Sequence, residues 1–137
     1  VYKELVAPES LEKVPFIKYQ TDVSVANIIE TWCAEHFEEP PSVAMDVNSM
    51  STCRHFVRAG LGWSILTYMG LGSCKDKDIY VSPLRNKDGE CITRDTNMVY
   101  TKDAENLVVV KTFIEYVRNY YKEHTVVDNS IFREYKA

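Results

Sequence analysis

Two short polar runs carry the groups best suited to hold a small molecule: Lys18-Tyr19-Gln20-Thr21-Asp22 and Asn48-Ser49-Met50-Ser51. Both are rich in amide and hydroxyl side chains, and Lys18 adds a cation. Each follows an apolar or alternating stretch and precedes an amphipathic one, so each reads as the turn from a strand into a helix. A helix start leaves backbone N–H groups without intrahelical partners and carries a partial positive charge. That combination suits a carboxylate or another small polar anion. In an open α/β sheet, ligands collect at the carboxyl ends of the strands, where such turns lie. Plain capping of the two helices by the same side chains is the competing explanation.

Other chemical patterns fall away on inspection. Gly60-Leu61-Gly62 stands between a helix and a strand, the reverse of the order a dinucleotide fingerprint needs, so it reads as a helix stop and tight turn. Gly70-Leu71-Gly72 is not followed by the Gly-Lys-Ser/Thr of a phosphate loop. Glu35-His36-Phe37-Glu38-Glu39 puts its carboxylates on the polar side of a helix end, which reads as a solvated terminus rather than a metal pair. His55 and His124 have no companion serine or cysteine pattern for nucleophilic catalysis. No acid–base pair emerges, so the expectation is a binding protein and not an enzyme, with no metal and no cofactor.

The elements that must position the two runs are legible from periodicity. Pro15-Phe16-Ile17-Lys18-Tyr19 predicts a short strand. Val25, Ile28, Ile29, Trp32, His36 and Phe37 recur at helical spacing, with Thr21, Asp22 or Ser24 as cap and Pro40-Pro41 as stop. Residues 42–47 alternate as a strand. A second helix carries Cys53, Phe56 and Val57 on one side, ended by Gly60 in the left-handed conformation. Gly62-Trp63-Ser64-Ile65-Leu66 predicts a strand buried on both faces of a parallel sheet. Residues 70–78 predict a loop, 79–82 a strand stopped by Pro83, 86–89 a turn and 91–100 one long strand. A helix is expected from about Asp103 to Glu123. Its apolar face is unusually wide: Leu107, Val110, Ile114, Val117 and Tyr121 lie beside Val109, Phe113, Tyr116 and Tyr120. A turn at Asp128-Asn129-Ser130 and an extended piece close the chain. The order of elements predicts an α/β fold with a mainly parallel sheet flanked by helices.

Composition narrows the class. The 137 residues, 45% hydrophobic and 26% charged, suit one globular domain. The net charge of −4, with no basic block, argues against duplex DNA being held by this stretch itself. No run of 18 apolar residues offers a membrane span. The opening Val1-Tyr2-Lys3-Glu4 has neither an initiator Met nor a secretory leader, which predicts a piece of a longer, cytoplasmic protein. Cys33, Cys53, Cys74 and Cys91 lack C-x-x-C spacing and read as reduced thiols, two of them on apolar helix faces.

Taken in order, Pro15-Phe16-Ile17, the helix after it, Ser42-Val43-Ala44-Met45 and Phe56-Val57-Arg58-Ala59-Gly60-Leu61-Gly62-Trp63-Ser64-Ile65-Leu66 resemble the effector-binding domain of LysR-type transcriptional regulators. The family typically has Val-x-x-Gly-x-Gly, an apolar strand and then a proline; here Thr67 replaces that proline. Leu84, the stretch from Arg94 to Tyr100 and the helix with Lys111-Thr112-Phe113-Ile114 extend the resemblance over positions 5 to 122.

The resemblance implies a fold like the type 2 periplasmic binding proteins, with two lobes closing over a ligand. Residues 1–94 would form the second lobe. Residues 95–137 would supply a crossing strand and C-terminal helix to a first lobe that is otherwise incomplete. The resemblance further implies a small-molecule effector, a homo-oligomer, no membrane, and promoter DNA reached only through a missing N-terminal winged helix-turn-helix. Its pocket positions fall on Lys18, Tyr19, Gln20, Asn48 and Ser49. The family often has a small hydroxyl residue in place of Lys18, which favours an anionic effector here. A solute-binding protein of a transport system with the same fold is the alternative. The face around Phe113, Tyr116 and Tyr120, lacking its usual partners, is expected to drive self-association.

Overall fold

A computed structural model describes residues 7–71, 79–124 and 126–133. They group into two compact units, one running to Ile92 and resuming at Ser130, the other Thr93–Asn129.

The first unit is built on two parallel strands, β1 (Phe16–Tyr19) and β2 (Val43–Val47). Phe16 pairs with Val43; after a bulge, Ile17, Lys18 and Tyr19 pair with Met45, Asp46 and Val47. Helix α1 (Val23–His36) connects them, as a parallel pair requires a crossover. β1 is buried on both faces apart from Lys18. On one side Phe16 packs with Trp32, Cys33 and Phe37 of the α1 segment and with Trp63. On the other, Ile17 and Tyr19 pack with Cys53 and Val57 of α2 (Met50–Arg58). Alternation along the strand sets this division.

The aromatic half of the core is dense. The Phe16 and Trp63 rings lie 4.7 Å apart and those of Trp32 and Phe37 5.5 Å apart, edge to face. Both indole N–H groups are satisfied, Trp32 on the Arg85 carbonyl at 2.8 Å and Trp63 on the Val14 carbonyl at 3.0 Å. Such pairs contribute roughly 0.5–1.5 kcal/mol each beyond the burial itself.

Several expected strands are reduced to bridges. The 62–66 run pairs with β1 only at Trp63, which bonds across to Pro15 and Ile17. The next residue, Ser64, is fully buried and donates its hydroxyl to the Ile17 carbonyl at 2.7 Å. A side chain there takes a carbonyl that a ladder would use. Val81 bridges Phe132 in parallel, and Arg85 bridges Cys91. From Thr93 to Tyr100 no strand forms among the described residues, because a ladder needs a second backbone alongside it. The loop expected over 70–78 begins differently: Tyr68–Leu71 make a single helical turn, α3, and residues 72–78 lie outside the described ones.

Helix boundaries follow local chemistry. α2 ends at Arg58, and Gly60 then takes a left-handed φ of 76°, as its position past a helix end requires. In the second unit the predicted 103–123 helix splits. Residues Lys102–Asn106 form a 3-10 turn, Leu107 is extended, and α4 (Val108–Glu123) follows. Ile114 is buried, whereas Val109 is 80% exposed, Phe113 59% and Tyr116 64%. The wide apolar face is therefore present and open to solvent. No described helix is long and apolar enough to cross a membrane.

Candidate functional site

The parallel register puts the carboxyl ends of β1 and β2 side by side, with Tyr19 opposite Val47. The Gln20 amide continues the ladder by donating to the Val47 carbonyl at 2.9 Å. Gln20 is thereby held next to the backbone of Asn48, and both side chains are exposed. The starts of α1 and α2 rise from this same edge three residues later in one case and two in the other, at Val23 and Met50.

The two helix starts are not alike. The Asp22 carboxylate caps α1, accepting the Ser24 and Val25 amides at 3.0 and 3.1 Å. This corrects the expectation of two bare helix beginnings: the α1 terminus already holds a negative charge of its own chain. The reason is the short spacing from Gln20, which leaves Asp22 as the last residue in extended geometry before the helix. α2 is capped by a neutral group instead. The Ser49 hydroxyl accepts the Thr52 amide at 3.1 Å and lies 2.9 Å from the Thr52 hydroxyl. Its first intrahelical bond runs from the Cys53 amide to the Ser49 carbonyl. The Met50 and Ser51 amides therefore precede the helical ladder. No acidic residue occupies the first turn of α2, while His55 and Arg58 occupy its last, so its dipole is left uncompensated at the open end.

Among the five anticipated residues, Gln20 and Asn48 are exposed at the shared edge, and Ser49 is half-buried and committed to its cap. Lys18 is exposed and alternates to the opposite face of β1 from Tyr19. Tyr19 is 3% exposed and packs under α2. Its hydroxyl is buried, with the Thr21 side chain and the Thr67 backbone as neighbouring hydrogen-bonding groups. Burial pushes this phenol above its ordinary ionisation range, while the nearby Thr21 side chain and Thr67 backbone act the other way.

Sequence reasoning missed Thr52 and Thr67 as parts of this edge. Thr67 donates to the Met50 sulfur at 3.4 Å, holding the first residue of α2. Its departure from the proline usual at that position was the available signal. No His, Cys, Asp and Glu cluster fit for a metal occurs among the described residues. Cys33, Cys53 and Cys91 are free thiols, while Cys74 lies outside the described residues.

Comparison with known proteins gives a consistent picture. The family described as LysR substrate binding domain matches residues 2–122. The HTH-type transcriptional regulator YraN of Bacillus subtilis (strain 168), itself uncharacterized, is 34% identical over 118 residues, which is 86% of this chain and 40% of that protein. A second uncharacterized HTH-type transcriptional regulator of that organism, YkuM, is 28% identical over 105 residues, 77% of this chain and 35% of its own length. The chain thus spans well under half of each relative.

Proposed function

We propose that this chain, which belongs to the LysR substrate-binding domain family, senses a small anionic metabolite for a LysR-type transcriptional regulator and alters the promoter binding of that parent protein. The family carries a type 2 periplasmic-binding-protein-like fold, and the parallel pair with its flanking helices is consistent with it. In this reading residues 1–94 act as the second lobe, and residues 95–137 contribute a crossing segment and helix to the first. Lys18, Tyr19, Gln20, Asn48 and Ser49 line the effector site. The parent is a cytoplasmic oligomer that reaches DNA through a separate helix-turn-helix.

One observation carries the proposal. A neutral-capped helix start stands at a strand edge where the Gln20 amide is tied to the Val47 carbonyl, beside exposed Asn48. Amides with no acidic neighbour in the first turn attract an anion without any cofactor. Sensing then requires unequal affinity for two states of the protein, since a ligand that binds both equally shifts nothing. No bond is made or broken.

A thermal-shift screen of small carboxylates on the full-length protein tests the reading. A true effector raises Tm in proportion to RT ln(1 + [L]/Kd), about 2.7 kcal/mol at a hundredfold excess over Kd. Asn48→Ala should remove most of that shift and abolish effector-dependent regulation in cells. An unchanged response in Asn48→Ala would mean that the site lies elsewhere.

A further inference from the structure

We propose that a second binding site, distinct from the sheet edge, lies in the hollow between the 3-10 turn Lys102–Asn106 and α4, and that it takes a free α-amino acid with an apolar side chain.

The hollow measures about 330 Å³ and belongs wholly to the second unit. That is the low end of the range for small-molecule sites, roughly 300–1,000 Å³. Glu105 and Asn106 come from the end of the 3-10 turn, and Lys111, Ile114, Glu115 and Arg118 from α4. The four α4 positions follow one another at i, i+3, i+4 and i+7, so they share one side of the helix. A continuous helix from Asp103 would carry Glu105 and Asn106 along its own axis. The break at extended Leu107 lets them stand across from α4 instead.

Groups of both signs line this one hollow: two cations, two carboxylates and an apolar floor. Ile114 is 3% exposed, whereas the four charged side chains are open to solvent. Along α4 the signs alternate from Lys111 to Glu115 to Arg118, at the spacing where helical neighbours can pair. Yet no ion pair joins these groups among the described residues. Arg118 donates from Nη2 to the Tyr100 hydroxyl at 2.5 Å, which steadies its guanidinium and leaves other N–H groups of the fork to spare. A ligand of a single sign would meet two like charges along with two opposite ones. A zwitterion meets both kinds favourably. Its carboxylate matches the planar fork of Arg118, and its ammonium goes to Glu115 and Glu105. The Asn106 amide can serve either end, since it both donates and accepts. Buried Ile114 favours an apolar side chain on the ligand.

NMR titration of the chain with leucine tests this, beside the two molecules that each lack one of its charged groups, 4-methylpentanoate and 3-methylbutylamine. Leucine should bind about fivefold more tightly than either, the scale of one exposed ion pair. Its backbone amide shifts should fall on residues 105–118. Arg118→Gln should bring leucine down to the affinity of the amine, and Glu115→Gln should bring it down to that of the acid. Both positions are exposed, so the ligand-free Tm should stay level. Three equal affinities, or leucine binding unchanged in both variants, would overturn the zwitterion assignment. Shifts confined to the edge around Gln20 and Asn48, or no binding of leucine at millimolar concentration, would overturn the site itself.

Discussion

At the scale of single residues, the close approaches of the backbone give the sharpest expectations. A Cβ on Gly62 would stand 2.2 Å from the Pro15 carbonyl oxygen, in the middle of the bridge that joins Trp63 to β1. Gly62→Ala should therefore cost about 3 kcal/mol or more in chemical denaturation, at the upper end for a single substitution. Ser49→Ala removes the α2 cap and should cost about 1 kcal/mol in the same measurement. Cys33 gives a pH signature. Burial, with Glu30 adding to it, pushes its thiol up to about 11. The folded state then holds a proton that the unfolded chain releases near its ordinary value of about 8.5. Stability is full below that value and declines as pH rises toward about 11, by at most about 1.4 kcal/mol per pH unit from this group. Cys33→Ala should flatten that stretch of the stability profile.

At the scale of elements, the sequence was most readable where a segment carries its own hydrogen bonds. α1 and α2 were legible because their apolar spacing, caps and stops are all local. The edge formed by Tyr19, Gln20 and Asn48 was legible for the same reason, since strand-to-helix turns fix where strand ends lie. The strands of the second half were not. Residues 62–66 and 91–100 have strand-like composition, but pairing depends on a neighbour that composition does not specify. The Ser64 hydroxyl ends one ladder after a single bridge. The unlike capping of the two helix starts was only half legible: Asp22 was one of three candidate caps, and choosing among them needs the backbone angles. α4 shows the reverse case, a pattern read correctly whose partner surface the pattern cannot name. With Val109, Phe113 and Tyr116 largely exposed, this chain should self-associate with rising concentration. Light scattering should show that growth, and Phe113→Lys with Tyr116→Lys should suppress it. A strictly monomeric wild type at high concentration would show that the face is harmless.

At the scale of the whole molecule, the first unit is discontinuous in sequence. The Val81 carbonyl accepts the Arg133 amide at 2.6 Å, Ser82 donates to the Arg133 carbonyl, and Ile131 and Phe132 pack against the cluster holding Ile17 and Val57. The residues joined at Ser82 and Arg133 are 51 positions apart. On a ribosome, which adds roughly 5–20 residues each second, the Val81 segment would emerge and wait several seconds for its mate. During that interval its backbone edge is uncovered and its apolar neighbours are short of cover. The nascent chain is therefore most vulnerable between the emergence of Val81 and that of Ile131, and a stop codon before Ile131 should yield a product that chaperones retain and proteases clear.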